Sequence, residues 1–289
     1  MILLNTIKRE LAALDIKPKK SLGQNFLINE GIYKKIVAAL EIKKNDTIVE
    51  VGPGLGTLTG YLAESGAEIV TVEKDRLLAA HLKNKFKDSK NVTITEGDVL
   101  KFNPIIYNLK PKTYKIVGNI PYYLTSRLLR TILEKWPSPG LVVLMIQKEV
   151  AQRIVAKPPE MSLLAVSVQY YARPEIISYI SAGSFYPSPK VDSAIIRLAS
   201  RTQGIGDRII DRGAKYKTLP PTLNPTPFFR VVRAGFRGKR KQLINNLTAG
   251  LGIEKEKIKE KLLSAGVDYH RRAETLSIKE WQRVTEIFS

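Results

Sequence analysis

No cysteine occurs anywhere in the 289 residues. That excludes disulfides, zinc–cysteine sites, iron–sulfur clusters and thiol nucleophiles together. Histidine is almost as scarce: His81 and His270 are the only two, one in each half, too few for a histidine metal cluster. Catalysis, if any, must rest on amides, carboxylates, aromatic rings or an organic cofactor. Long apolar runs are missing too. The longest, 141–146, suits a buried strand and falls far short of a membrane span. The N-terminus has neither the apolar core nor the cleavage site of a signal peptide, and Glu10 and Asp15 argue against a transit peptide. A cytoplasmic protein without membrane contact is the expectation. Acidic residues are few, 27 against 47 basic ones, a net charge of +20. Such an excess favours a polyanionic partner, nucleic acid ahead of a membrane surface. A thermophile's lysine-rich surface is the bland alternative, but it normally adds glutamate in balance.

What is present alternates. Ile2, Leu3, Ile7, Leu11 and Leu14 fall near one helical face, and a basic loop, 17–27, follows. The spacing of Ile32, Ile36, Val37 and Leu40 predicts a helix over 30–40. Strands are expected at 47–51, 68–73, 92–95, 114–118 and 141–147, with helices between them at 57–65, 75–86 and 126–134 and a further helix through 153. Two more strands, near 176–180 and 194–198, are close enough to pair antiparallel. Strands separated by such helices mean βαβ units and a mostly parallel sheet. The segment 201–227, with four prolines, three glycines and little periodicity, reads as a linker or surface loop. Helical patterns follow at 228–236, 239–247, 254–265 and 278–287. The expected organisation is therefore an α/β domain over 1–200 and a small helical domain over 228–289. From residue 201 onward there are 19 basic and 9 acidic residues, about twice the density of positive excess found before it.

Four strand ends carry the candidate chemistry. Gly52, Gly54 and Gly56 lie between the first strand and its helix, where glycine lets the backbone turn sharply and approach a ligand. Their Gly-x-Gly-x-Gly spacing is not the Gly-x-Gly-x-x-Gly of dinucleotide binders, which disfavours a nicotinamide dehydrogenase. With Glu50, the turn suits a cofactor bearing a positively charged amino acid end. Glu73 ends the next strand, 21 residues after Gly52, where an acidic residue typically takes the ribose hydroxyls of an adenosine-containing cofactor. Asp98 ends the third strand and could accept a hydrogen bond from that cofactor's adenine amine. The fourth strand runs into Asn119-Ile120-Pro121-Tyr122. The Asn119 side-chain oxygen and the Ile120 carbonyl can accept both hydrogens of an exocyclic amine, Pro121 stiffens the turn, and Tyr122 can stack on the ring carrying the amine. The ordinary alternative is a strand-ending turn.

Together with Leu22-Gly-Gln-Asn-Phe-Leu27, Gln147-Lys-Glu-Val-Ala-Gln-Arg153, Phe185-Tyr-Pro-Ser-Pro-Lys-Val-Asp192 and Phe228–Phe236, these motifs resemble the ribosomal RNA adenine N6-dimethyltransferase family. The resemblance implies a Rossmann-like class I fold dependent on S-adenosylmethionine: a seven-stranded sheet with its last strand antiparallel, plus a small helical C-terminal domain. It places Gln24, Asn25 and Leu27 at the methionine end of the cofactor, Gly52 and Gly54 beneath it, and Asn119 at its border. Glu73 would hold the ribose and Asp98 the adenine. Phe185 would sandwich the target base with Tyr122, its alternative being a core aromatic. The implied substrate is a pair of adjacent adenosines in a hairpin loop near the 3′ end of small-subunit ribosomal RNA. The macrolide-resistance type, acting on large-subunit RNA, and a silent RNA-binding assembly factor are the rivals. A monomer is expected. Arg230, Arg233, Arg237, Lys239, Arg240 and Lys241 fall within twelve residues without an acid, and their spacing places Arg230, Arg233 and Arg237 on one helix face suited to RNA phosphates.

Overall fold

β-branched runs alternating with amphipathic helices fold into right-handed βαβ units, and a strand covered on both faces becomes a continuous apolar run. The computed structural model describes residues 2–19, 22–201 and 227–288. Chain order is α1 (Ile2–Ala13), β1 (Phe26–Leu27), α2 (Glu30–Leu40), β2 (Thr47–Val51), α3 (Thr57–Ala63), β3 (Glu68–Glu73), α4 (Arg76–Lys85) and β4 (Val92–Glu96). Then come β5 (Tyr114–Asn119), α5 (Thr125–Glu134), β6 (Leu141–Gln147), α6 (Lys148–Val155), α7 (Leu163–Tyr171), β7 (Ala172–Ile180), β8 (Phe185–Tyr186) and β9 (Ser193–Ser200). Helices α8 (Pro227–Gly235), α9 (Leu243–Leu251), α10 (Lys255–Ser264) and α11 (Ile278–Ile287) follow.

The seven-stranded sheet has the order β4-β3-β2-β5-β6-β9-β7. All pairings are parallel except those of β9, which runs antiparallel between β6 and β7. This is the expected sheet, with its last strand reversed. The six residues 141–146 of β6 are all buried, as an apolar run in the sheet centre requires. Register matters most for function. Val51 lies opposite both Val72 and Gly118, so β2, β3 and β5 end level and deliver Gly52, Glu73 and Asn119 to one edge. A separate two-stranded piece pairs Phe26 with Tyr186 and Leu27 with Phe185.

The expected domain boundary needs one correction. Contacts group Gln152–Tyr171 with the C-terminal helices and not with the sheet. The reason is where α7 finds apolar partners: Met161, Ala165 and Val166 share a core with Phe228, Phe229, Leu247 and Trp281. Helix α7 itself was not foreseen, because Leu163–Tyr171 is apolar almost throughout and shows no 3.6-residue period. Of the segment read as a linker, 202–226 lie outside the described residues.

Helix α8 has Pro227 in its first turn, where its missing N–H costs nothing, and ends at Gly235. Asn246 Nδ2 then donates to the Gly235 carbonyl at 2.6 Å and the Gly238 carbonyl at 3.0 Å, fixing a turn before α9 begins at Leu243. The helix expected from 239 therefore starts four residues late. At α11, Ser277 and Glu280 form a reciprocal capping box, a sequence signature legible in Ser-x-x-Glu. Gly235 packs against the six-membered ring of the Trp281 indole, and a methyl there would overlap it. Gly235→Ala should cost about 1–3 kcal/mol by overpacking and lower the melting midpoint of the C-terminal helices, followed by near-ultraviolet circular dichroism. An unchanged midpoint would mean that the helices shift freely to admit the methyl.

Candidate active site

The levelled strand ends enclose one cleft. After β2 the chain turns through Gly52, Gly54 and Gly56 at φ of 66°, 61° and 77°, a left-handed path strained for any other residue. Glu73, buried at the end of β3, accepts Gly54 N–H at 3.1 Å on one oxygen and Asp75 N–H at 2.8 Å on the other. Burial pushes its carboxyl up, with these two bonds opposing. Asp98 accepts Leu100 N–H at 3.0 Å and pairs with Lys74 at 3.0 Å. Burial would raise its carboxyl, but the Leu100 bond and Lys74 outweigh it and hold the group below the usual range. Both carboxylates keep acceptor capacity on the cleft, which Gln24, Asn25, Leu27, Gly52, Gly54 and Asn119 also line.

Asn119 closes β5. Its Nδ2 donates to the Asn25 backbone carbonyl at 2.9 Å, and its Oδ1 accepts nothing from the described residues. Ile120 is buried and donates its N–H to the Met145 carbonyl at 3.0 Å, while its own carbonyl accepts no described backbone N–H. Pro121 is held by the preceding loop: a side chain on Gly23, which has φ of 63°, would lie 2.8 Å from Pro121 Cβ. Tyr122 is half-buried, its hydroxyl 3.0 Å from Ser193 Oγ.

Some residues do other work than the sequence suggests. Gln24 lines the cleft, but its carboxamide is engaged, accepting Lys19 N–H at 2.8 Å and donating to Asp75 at 3.2 Å. Asp75 also receives Lys19 Nζ at 2.8 Å and caps α4 through Leu77 N–H. This tie was missed because neither Lys19 nor Asp75 stands out in sequence. Phe185 is corrected. It is 4% exposed, packed in the core with Leu27, Tyr33 and Met145, whereas a ring that sandwiches a base must present a face. The structure gives it the core-aromatic position.

Arg230, Arg233, Arg237, Lys239, Arg240 and Lys241 are all exposed. Arg237, however, lies beyond the end of α8 and donates to the Ala249 carbonyl, so the single helix face expected for Arg230, Arg233 and Arg237 is reduced to the first two. From α1, Ile7 reaches the cleft wall while Leu11 packs near Leu55 and Leu78. The helix's apolar face was legible in sequence, but its target was not.

A bridging carboxylate placed for a ribose, a second acceptor beside apolar Val99 and Leu100, and a buried carboxyl under a glycine turn form a set of acceptors suited to an adenosine-bearing ligand. The sequence matches the ribosomal RNA adenine dimethylase family over residues 16–289. The chain belongs to that family. It is 41% identical to ribosomal RNA small subunit methyltransferase A of Dehalococcoides mccartyi (strain CBDB1), covering 96% of this chain and 90% of that one. With the enzyme of the same name from Moorella thermoacetica the figures are 38%, 93% and 91%. Among solved structures, the 23S rRNA methyltransferase ErmE is similar at a TM-score of 0.69 and 25% identity, covering 91% of this chain and 99% of that one. A dimethyladenosine transferase from Plasmodium falciparum shares the fold at a TM-score of 0.74 and 24% identity, over 90% and 95% of the two chains. The sheet with its reversed last strand is therefore that of an adenine dimethylase, and this chain is a methyltransferase.

Glu50 sits fully buried beneath the glycine turn and accepts Thr59 Oγ1–H at 2.7 Å. Burial, against the Thr59 bond and reinforced by Glu73, pushes its carboxyl up to about 8 from an ordinary 4.5. A carboxyl raised on folding is bound to its proton more tightly in the native state, so its contribution to stability is complete below 4.5 and is lost as pH climbs toward about 8. Glu50→Gln keeps an acceptor for Thr59 and removes the titration. Plotted from pH 4.5 to 9, the difference in melting midpoint between wild type and Glu50→Gln should fall up to about pH 8 and then level. A difference flat across that range would show that Glu50 ionises at its ordinary value.

Proposed function

We propose that this protein transfers methyl groups from S-adenosylmethionine to N6 of two adjacent adenosines in a hairpin loop near the 3′ end of small-subunit ribosomal RNA. The observation carrying this reading is the orientation of Asn119. Because Nδ2 is committed to the Asn25 carbonyl, Oδ1 is left as the acceptor beside the glycine turn. S-adenosylmethionine, when bound, supplies an electrophilic methyl group on a sulfonium. Glu73 would hold its ribose hydroxyls, Asp98 its adenine amine, and the Gly52–Gly54 turn its amino acid end.

The chain's own contribution lies in presenting the target amine. That nitrogen is a poor nucleophile because its lone pair is delocalised into the ring. Hydrogen bonds from its two N–H groups to Asn119 Oδ1 and the Ile120 carbonyl favour a pyramidal nitrogen and localise the lone pair. Tyr122 stacks on the ring, its tilt limited by Ser193. No strong base is required, since the proton leaves to water after transfer. Catalysis is then positioning and electrostatic stabilisation. The base must be unstacked to enter, which suits a loop.

Small-subunit RNA is favoured over large-subunit RNA because the relatives named for the small subunit share 38–41% of their residues with this chain, against 25% for ErmE. The basic surface, including Arg230, Arg233 and the 237–241 turn, suits the RNA partner. We place the activity in the cytoplasm and in a monomer; among the described residues no helix is long and apolar enough to cross a membrane.

The direct test is transfer of labelled methyl from S-adenosylmethionine to immature small subunits lacking the modification, followed by nucleoside analysis. Dimethyladenosine at two neighbouring positions is expected. Label confined to large-subunit RNA would move the chain to the macrolide-resistance branch, and no transfer with intact RNA binding would favour an assembly factor. Asn119→Ala should lower kcat about 10²- to 10³-fold while RNA affinity stays within about twofold. Equal losses in kcat and affinity would remove Asn119 from the reaction.

A further inference from the structure

Tyr122 and Tyr123 are adjacent but unlike. Tyr122 is anchored on Ser193, whereas Tyr123 is 55% exposed and lines the rim of the cleft beside Lys74, Asp98 and Arg127. Arg127 stands four residues on, in the first turn of α5, and is also exposed. Among the described residues Arg127 has no carboxylate partner, while its neighbour Lys74 is already neutralised by Asp98 at 3.0 Å. An uncompensated cation in the first turn of a helix stands at the positive end of the helix dipole, the electrostatically unfavourable place for it. Lys74 lies near enough to feel both Arg127 and the Tyr123 hydroxyl, so the rim sets one unpaired cation, Arg127, by one open aromatic face.

An aromatic face flanked by an unpaired guanidinium is the pairing that holds single-stranded nucleic acid, the ring stacking a base and the cation meeting a phosphate. The cofactor's adenosine end offers no phosphate, so it leaves Arg127 unmatched. RNA does not. We propose that Tyr123 and Arg127 hold the nucleotide adjoining the target adenosine, Tyr123 by stacking on its base and Arg127 by pairing with its phosphate, and so position the target over Asn119. This rests on the proposed RNA substrate and adds two positioning residues to it.

The experiment measures binding of a fluorescent RNA hairpin with adjacent adenosines in its loop by wild type, Arg127→Ala, Tyr123→Ala and Tyr123→Phe across a range of salt. S-adenosylmethionine affinity is read by calorimetry on the same samples. Arg127→Ala should weaken RNA binding and flatten the logarithmic salt slope by about 0.7, the value of one single-strand phosphate contact. Tyr123→Ala should weaken binding about five- to hundredfold, with Tyr123→Phe close to wild type. Cofactor affinity should stay within about twofold throughout, and turnover should show a raised KM at preserved kcat. An unchanged salt slope and affinity for Arg127→Ala would overturn the proposal. So would a loss of cofactor affinity with RNA binding intact, which would assign the pair to the cofactor. Methyl transfer by the wild type is scored separately: its absence counts against the proposed reaction, while the salt slope still decides the role of Arg127.

Discussion

The hydrogen bond from Asn119 Nδ2 to the Asn25 carbonyl, 2.9 Å long, decides which end of a carboxamide faces the cleft. An amide is a donor at one end and an acceptor at the other, and only the acceptor end can receive an amine's hydrogens. Keeping that choice fixed requires the loop 22–27, distant in sequence, to stay against the end of β5. Three attachments hold it there. Gly23 lies so close to Pro121 that a side chain would not fit, Gln24 and Lys19 are tied to Asp75, and Phe26 and Leu27 pair with β8. The Asn119–Tyr122 turn is thus braced by a neighbour and not by its own four residues.

The cleft floor carries an electrostatic cost of its own. Glu50 and Glu73 are both nearly removed from water; burial pushes both carboxyls upward, and Glu73 pushes Glu50 further. Burying a carboxylate is tolerated when donors surround it. Glu73 receives two backbone N–H groups because the glycine turn aims Gly54 inward, and Glu50 receives the Thr59 hydroxyl from α3. The same glycines proposed to admit the cofactor therefore also keep the acidic floor in place. Removing the carboxyls would relieve the cost and lose the reason for the turn.

Much of this was legible in the sequence, and the losses have physical causes. Strand ends were readable because β-branched runs stop at Gly52, Glu73, Gly97 and Asn119, and parallel pairing levels them without further information. Phe185 was not, because a two-residue strand gives no alternation from which to tell its inner face from its outer one; Phe185 faces the core and Tyr186 is more open. Arg237 was misplaced because its spacing continues the helical period while Gly235 and the Asn246 side chain end the helix first. Helix α7 was hidden by being apolar almost all round, the mark of a segment whose partners lie elsewhere in the chain.

The distribution of charge sets a division of labour between floor and rim. A protein with twenty more cations than anions nevertheless gathers Glu50, Glu73 and Asp98 around one cleft. With Glu50 kept largely protonated, the acidity of the floor rests on Glu73 and Asp98, and in the proposed reading it would turn away the phosphates of an RNA backbone drawn by the long-range field of the whole molecule. The backbone would settle on the rim, where Arg127 stands without a carboxylate partner among the described residues beside the Lys74–Asp98 pair. Only an uncharged group can then descend between them, and a nucleobase is the uncharged part of a nucleotide. Base extrusion would follow from this arrangement under the proposed reading: the field would hold the backbone above while apolar and amide groups below accept the ring. A uniformly basic cleft would bind RNA more tightly and draw its phosphates over the reacting atoms.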